Sequence, residues 1–161
     1  MCALLWSMSL PRAMPEVGIN VAWNSTGSSA AGATPSGSWN TSTYPADWNI
    51  THPCPEGYRL PTRAEFETLI NSSTVSRGGG WSSSDYGYIK FTSGSNSVEF
   101  PAVGWRNFDS SGTLYDAGGE GEYWSSVAYG SNRAYGLYFY SSSLLVGNGN
   151  KQFGFSVRCV R

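Results

Sequence analysis

Only one stretch of this chain, residues 60–71, has the pattern of a helix with a defined beginning. Thr62 and Glu65 stand three residues apart, as in a capping box, where each side chain accepts a hydrogen bond from the other residue's backbone N–H. Leu60 is expected to pack on Phe66 as a hydrophobic staple. One apolar helical face follows, made by Phe66, Leu69 and Ile70. The sequence therefore predicts one main helix near 62–71.

Outside that helix, the patterns are those of strands and turns. Period-2 alternation predicts strands at 16–23, 88–92, 97–100, 135–140 and 153–160, and residues 93–96 form a hairpin turn between the second and third of them. In 135–140, Leu137 and Phe139 are expected to face one side, and Tyr138 and Tyr140 the other. The 20 Gly and the 15% aromatic content also favour a loop-rich, mostly β domain over a helical one.

The charge balance excludes several classes of partner. Ten basic side chains nearly cancel eleven acidic ones, so the net charge is -1, and the chain lacks the basic surface that nucleic acid or an anionic membrane requires. No apolar run approaches the ~18 residues of a membrane-spanning helix. The apolar run at the N-terminus has no basic flank, so no signal peptide is predicted.

Candidates for metal binding and catalysis are few. The single His52 lies in a proline-rich turn, and a zinc site or a Ser-His-Asp triad would have to use it. Four acids (Asp109, Asp116, Glu120 and Glu122) could hold Ca²⁺, but they lack EF-hand spacing and are interpreted as solvated loop acids. We therefore expect no catalytic residues, no metal and no cofactor.

The three cysteines exclude a dense disulfide framework. Cys54 and Cys159 flank most of the region with strand and helix patterns. They could form one long-range bridge or remain two buried thiols, and the sequence leaves both alternatives open.

Residues 123–150 have the composition of a recognition surface. Tyr, Ser, Gly and Asn make up 18 of these 28 residues, and Arg133 is the only charged one. Antibody binding loops have the same composition, because Tyr gives a large contact area at low entropic cost and small polar residues adapt around it. A hydrophilic β-surface with incidental tyrosines is the alternative.

Four motifs then point to a family. They occur in the order CPEGYRLPTRAEFE (54–67), FPAVGWR (100–106), YWSS (123–126) and FSVRCVR (155–161). Together they resemble the Fibrobacter succinogenes major paralogous domain of Bacteroidetes surface proteins, over roughly residues 39–161. That family is related to the C-type lectin fold, so the resemblance implies an α+β, C-type lectin-like domain of short antiparallel strands and long loops, with residues 1–38 as an extension packed on it.

The C-terminal part also resembles the variable protein of a diversity-generating retroelement, in which adenine-containing codons are rewritten. Tyr, Ser, Gly, Asn and Leu are all reachable from an Asn codon by changing adenines, and they crowd the segment 127–153. The resemblance implies a binding protein, of a receptor or adhesin type, whose exposed residues are diversified. The Glu-Pro-Asn and Trp-Asn-Asp motifs of Ca²⁺-dependent lectins are absent from the sequence, so sugar binding through Ca²⁺ is not implied.

Two other classes stay open. Residues 59–67 are similar to a motif of formylglycine-generating enzymes, which use a reactive cysteine pair in a groove, but here Cys54 and Cys159 both lie within structural motifs. A structural pilus or virion subunit would account for the scaffold and not for the composition of 127–153.

The expected ligand is a protein or glycan on a cell surface, with no nucleic-acid partner and no membrane insertion, and the expected location is a cell or phage virion surface. Tyr135, Leu137, Phe139, Phe155 and Val157 are assigned to the scaffold. The predicted ligand-binding residues are Tyr129, Ser131, Asn132, Arg133, Gly136, Tyr138, Tyr140, Ser143, Leu145, Asn148, Asn150 and Phe153.

Overall fold

The computed structural model describes residues 54, 57–107, 113–130, 133–151 and 153–161. The elements, in chain order, are α1 (Arg63–Ser72), β1 (Thr74–Gly78), β2 (Tyr88–Ser93), β3 (Asn96–Pro101), β4 (Trp105–Arg106), β5 (Leu114–Tyr115), β6 (Glu120–Tyr129), β7 (Arg133–Tyr140) and β8 (Leu144–Asn150). The strands form three antiparallel sheets, ordered β1-β2-β3, β4-β5 and β6-β7-β8. The predicted strand at 16–23, the extension 1–38 and His52 lie outside the described residues.

The predicted α+β, C-type lectin-like class, with its main helix, is wrong. The described chain is mostly β, with eight strands in three sheets and one ten-residue helix. The helix lies where it was predicted, but it supplies only two buried side chains to the core, Phe66 and Leu69. The capping box located the helix correctly. The share of the core expected from that helix was too large, because sheet residues supply most of the buried side chains.

The start of α1 is a complete capping box. The Thr62 hydroxyl accepts from the backbone N–H of Glu65 at 3.2 Å, and the Glu65 carboxylate accepts from the backbone N–H of Thr62 at 2.7 Å. Arg59 donates to both carboxylate oxygens of Glu65, at 2.7 and 2.6 Å. The predicted staple is not observed, because Leu60 and Phe66 are buried in two separate clusters.

The predicted hairpin is confirmed as β2 and β3. Ser93 pairs with Asn96 across a two-residue turn, and Gly94 has φ 61°, as the first position of a type II′ turn requires. Phe91 pairs with Val98, and both are buried. This inward-facing row of the hairpin contributes to the larger core cluster.

The β6-β7-β8 sheet separates two groups of side chains. Leu137 and Phe139 are fully buried in the larger cluster, whereas Trp124 and Tyr138 pack in the smaller cluster with Phe155. The predicted phase of residues 135–140 is therefore confirmed. Because side chains alternate along a strand, Tyr138 and Tyr140 project away from the main core that Leu137 and Phe139 fill.

The C-terminal segment after β8 lies beside β6 and does not form the predicted strand at 153–160. It makes only isolated bridges, from Gly154 to Arg106, from Ser156 to Tyr123 and from Val160 to Arg59. Cys54 and Cys159 form a disulfide with Cα atoms 5.7 Å apart, which decides between the two alternatives for these cysteines. No helix in the described part of the chain has the length and apolar character needed to cross a membrane.

Candidate binding groove

A solvent-accessible groove of about 260 Å³ lies on the Tyr138 face of the β6-β7-β8 sheet. Its walls combine aromatic rings, two carboxyl groups and strand backbone. We call it the aromatic groove, and its lining consists of Trp105, Glu120, Glu122, Tyr138, Tyr140, Asn148, Gly149, Phe153 and Phe155.

The pairing of β6 with β7 places acids and tyrosines side by side. Glu120 pairs with Tyr140, and Glu122 pairs with Tyr138. Directly paired residues of antiparallel strands project to the same face of a sheet. The register therefore brings together two carboxyl groups and two phenol rings that are 16 or 20 positions apart in the chain.

The aromatic side chains form a connected series. The centroid of Trp105 lies 4.9 Å from that of Phe153, Phe153 lies 5.8 Å from Phe155, and Phe155 lies 5.5 Å from Tyr138. Tyr115 stacks behind Trp105 at 5.1 Å. Such ring pairs stabilise by about 0.5–1.5 kcal/mol beyond their buried area, so the wall they form is preorganised.

Trp105 is fixed from a second direction. Its indole Nε1–H donates to the Asp116 carboxylate at 3.2 Å. This hydrogen bond and the stacked Tyr115 hold the ring at the rim of the groove, on a strand of only two residues. The turn before β6 thus orients a residue of β4.

Glycines of β8 make room for the Tyr138 ring. A Cβ atom on Gly149 would lie 2.6 Å from the Tyr138 hydroxyl oxygen and 2.8 Å from Cε2 of Phe155. A Cβ atom on Gly147 would lie 3.0 Å from Cδ2 of Tyr138. The floor of the groove therefore depends on the absence of side chains at these two positions.

Glu122 is an acidic residue of the lining that is buried in the protein. Its side chain belongs to a residue that is only 4% exposed, and Oε2 has no hydrogen-bond partner. Burial, followed by the hydrogen bond and charge of Glu120 and the charge of Asp116, raises the pKa of Glu122 to about 9. Burial and the neighbouring acids therefore favour the protonated form of the Glu122 carboxyl group. The interpretation of Glu120 and Glu122 as solvated loop acids is wrong, because both lie in β6.

Burial also raises the pKa of Tyr138 above its usual value. Its hydroxyl oxygen is buried and has no hydrogen-bond partner. The groove therefore contains two polar atoms, Oε2 of Glu122 and Oη of Tyr138, that the described protein leaves unsatisfied. Buried polar atoms in this state cost stability unless a ligand or water meets them.

Four predicted binding residues line the groove: Tyr138, Tyr140, Asn148 and Phe153. Leu145 pairs with Tyr138 on the same face and is 41% exposed. Ser143 exchanges backbone hydrogen bonds with Tyr140 in the turn between β7 and β8.

Other predicted residues lie elsewhere. Arg133 projects from the opposite face and donates to Asn148 Oδ1 at 3.1 Å, so the Asn148 side chain lies toward that face, where Asn148 pairs with Tyr135 and Asn150 with Arg133. Tyr129 is 47% exposed at the end of β6, with its ring 5.2 Å from that of Tyr135. The predicted single surface is thus divided between the groove and the β6-β7 end of the sheet, and Ser131 and Asn132 lie outside the described residues.

Gly136 does not fit the predicted role of a ligand contact. It is buried, and a Cβ atom there would lie 2.8 Å from the Tyr123 carbonyl oxygen. The residue allows close approach of β6 and β7 and presents no side chain to a ligand.

Sequence reasoning missed Trp105, Glu120, Glu122 and Gly149, and it assigned Phe155 only to the scaffold. Trp105 lies within the motif at 100–106, which carries part of the family resemblance. The alternation of Glu120 and Glu122 before YWSS was the available signal that these acids belong to a strand.

Within the ranges that the structure describes, no three His, Cys, Asp or Glu side chains come together as a metal site. Cys54 and Cys159 are joined to each other, and neither lines the groove. The groove offers aromatic faces, two carboxyl groups and two phenols, all of which can contact a ligand.

The family described as the Fibrobacter succinogenes major domain matches residues 46–161. No curated protein and no solved structure matches the chain.

Proposed function

The chain belongs to the Fibrobacter succinogenes major domain family, and on that premise we propose that it is a ligand-binding protein of a receptor or adhesin type. The proposed recognition surface is the aromatic groove with the neighbouring exposed Leu145, together with the separate exposed Tyr129 at the β6-β7 end of the sheet. We further propose that segment 127–153 is diversified by a retroelement, and that the ligand is displayed on a cell surface.

The observation that carries the proposal is the separation of faces in β7. Leu137 and Phe139 have no solvent exposure and fill the core, whereas Tyr138 and Tyr140 line a groove on the other side. A substitution in the second pair changes the groove without removing the core side chains of the first pair. A strand built this way can vary its binding face while keeping its fold.

The composition of the groove supports the same proposal. Tyr138, Tyr140 and Phe153 all come from segment 127–153, and Trp105 and Phe155 complete the wall from outside it. Aromatic side chains in concave, partly desolvated sites dominate many recognition surfaces. A constant wall and a variable wall would together give one site with many specificities.

Diversification is tested by sequencing the DNA next to the coding region. We expect a reverse transcriptase gene and a near-identical repeat of the 127–153 codons, with adenines at the codons of Tyr138, Tyr140 and Asn148. Among natural copies, substitutions should fall at those codons and spare Leu137 and Phe139. Absence of a repeat, or equal variation on both faces of β7, would rule out this mechanism.

Binding is tested with a matched pair of tyrosines. Tyr129 and Tyr86 are 47% and 45% exposed, but only Tyr129 lies in the proposed segment. Protein displayed on beads should capture its target cells, Tyr129→Ser and Tyr140→Ser should each weaken capture, and Tyr86→Ser should not. Equal loss in all three variants would contradict a site in this segment.

A further inference from the structure

The lining of the aromatic groove is acidic as well as aromatic. Two of its nine lining residues are glutamates, and none is Lys, Arg or His. Arg106 directly follows the lining residue Trp105, and Lys151 lies two positions from Gly149 and from Phe153, but neither lines the groove itself. Asp116 adds a third acidic group at the rim, where it holds the Trp105 indole.

Among the described residues, no basic side chain lines the groove beside Glu122. Glu122 is 4% exposed, lies in the lining and leaves Oε2 without a partner. Among the titratable groups that act on Glu122 or on its neighbour Tyr138, the acidic ones besides Glu122 itself are Glu120, Asp116 and Tyr140, and Arg133 is the single cation. Since Arg133 projects from the opposite face and bonds Asn148, it is not placed to neutralise Glu122.

We propose that the aromatic groove binds an organic cation of the alkylammonium class, with the positive group against Glu122 and Glu120 and its methyl or methylene groups against the rings of Trp105, Tyr138 and Phe153. The inference rests on the groove being the recognition site proposed above. A cation over an aromatic face is attracted by the negative face of the ring, and the attraction is larger where water is excluded. A volume of about 260 Å³ suits one ammonium group or one basic side chain rather than an extended ligand.

Binding of such a cation would change the protonation of the site. The Glu122 carboxylic acid would lose its proton to solvent, and the resulting carboxylate would face the bound cation. A nearby positive charge favours the ionised form of a carboxyl group, so cation binding and proton release are linked. The Oε2 atom that lacks a partner would then meet its counter-charge.

The test uses calorimetric titration of the whole protein with two cations and their neutral isosteres. Choline is paired with 3,3-dimethylbutan-1-ol, and doubly blocked lysine is paired with doubly blocked norleucine, so each pair differs mainly in charge. We expect saturable binding of at least one cation and binding at least tenfold weaker for its isostere. A preference for choline indicates a small quaternary ammonium ligand, whereas a preference for blocked lysine indicates a basic side chain of a protein.

The pH dependence identifies Glu122. Because its pKa is about 9 without ligand, affinity for choline should rise by up to about tenfold per pH unit between pH 7 and pH 9 and then level off. Titrations in two buffers of different ionisation enthalpy should show close to one proton released at pH 7.5. Glu122→Gln keeps the neutral shape and should abolish both effects, while Glu120→Gln should weaken binding and retain proton release.

Several results would overturn the inference. These are equal binding of cations and isosteres, binding that does not depend on pH, or an unchanged affinity in Glu122→Gln that retains the wild-type melting profile. Saturable binding of a neutral methyl glycoside with no cation binding would assign the groove to sugars. If cation binding fails while Tyr140→Ser still weakens capture of target cells, the proposed function stands without this ligand class. If both fail, the groove is not the recognition site.

Discussion

Glu122 and Tyr138 lie directly opposite each other on β6 and β7, and each leaves one buried polar atom without a hydrogen bond. The pairing puts an acid and a phenol on the same face of the sheet, beneath the rings of the aromatic groove. A pair that served only stability would be expected to satisfy its own polar atoms. This pair instead retains hydrogen-bonding capacity at the place where the groove opens.

The protonation of Glu122 predicts an unusual dependence of stability on pH. Its pKa is raised to about 9 in the folded protein, from an ordinary value of 4.5, so between these values the folded state holds more protons than the unfolded state. The stabilisation is complete below about pH 4.5 and is lost as the pH rises toward 9, by at most about 1.4 kcal/mol per pH unit. Glu122→Gln should therefore gain stability relative to wild type as the pH increases from 5 to 9. Urea unfolding at pH 5, 7 and 9 measures the difference.

The matched control is Glu99→Gln, because Glu99 is an exposed glutamate of β3 whose side chain is 52% accessible. Its difference from wild type should stay nearly constant over the same range. A Glu122→Gln difference that does not change with pH would show that Glu122 is ionised in the folded protein.

The close approach of Tyr138 to Gly149 predicts a specific coupling. Gly149→Ala places a Cβ atom 2.6 Å from the Tyr138 hydroxyl oxygen and 2.8 Å from Phe155, and overpacking of this kind costs about 1–3 kcal/mol. Tyr138→Phe removes that hydroxyl and its unsatisfied oxygen, so it should not destabilise the protein and should relieve part of the Gly149→Ala cost. A double-mutant cycle by urea unfolding measures the coupling.

Gly119→Ala is the control for this cycle. A Cβ atom there would lie 3.6 Å from the Asp116 carbonyl oxygen, an ordinary contact distance, and the φ of Gly119 is not positive. Additive effects of Gly149→Ala and Tyr138→Phe would mean that Tyr138 moves away from the glycine at no cost.

The capping box predicts a local cost at the start of α1. Thr62→Ala removes the hydroxyl that accepts from the Glu65 backbone N–H and should lower the free energy of unfolding by about 1 kcal/mol. Thr62→Ser keeps an equivalent hydroxyl and should change stability much less. If both variants lose the same amount in urea unfolding, the loss comes from the Thr methyl group and not from the cap.

Local elements of this fold could be predicted from the sequence because their signals lie within a few residues. Thr62 and Glu65 identify the helix, and alternation around residues 93–96 identifies the β2–β3 hairpin. The prediction of a final strand at 153–160 was wrong, because alternation alone cannot distinguish a paired strand from a segment held by single bridges. Fold class was wrong for a related reason, since a sharp local helix signal says nothing about how much of the core the sheets supply.

The binding groove could be predicted only in part. Alternation placed Tyr138 and Tyr140 together, away from Leu137 and Phe139, and the structure agrees. The acids opposite them were not predicted. The pairing of β6 with β7 depends on the strand register and on the irregularity between Trp124 and Ala128, and alternation within one strand does not reveal either.

The disulfide predicts a large contribution to stability. Cys54 and Cys159 are 105 positions apart, and closing a loop of that length stabilises by up to about 4–5 kcal/mol in the chain-entropy model. Reduction with dithiothreitol should lower the urea midpoint substantially. In the double variant Cys54→Ser with Cys159→Ser, the midpoint should be low from the start and should not respond to dithiothreitol. A midpoint in wild type that reduction leaves unchanged would mean that the bridge contributes little to the stability of the fold.

The two faces of β7 and the end of β6 predict a graded response to truncation. Leu137 and Phe139 have no solvent exposure, so Leu137→Ala and Phe139→Ala should each cost about 2–5 kcal/mol by opening a cavity. Tyr129 is 47% exposed, so Tyr129→Ala should change the free energy of unfolding by less than about 0.5 kcal/mol. Tyr138 is half-buried against Phe155, so Tyr138→Ala should fall between these limits. Urea unfolding of the four variants gives the order directly. An equal loss of free energy of unfolding in Tyr129→Ala and Leu137→Ala would contradict the separation of a variable face from a constant core. Substitutions at the end of β6 would then disturb the same packing that holds β7 in place.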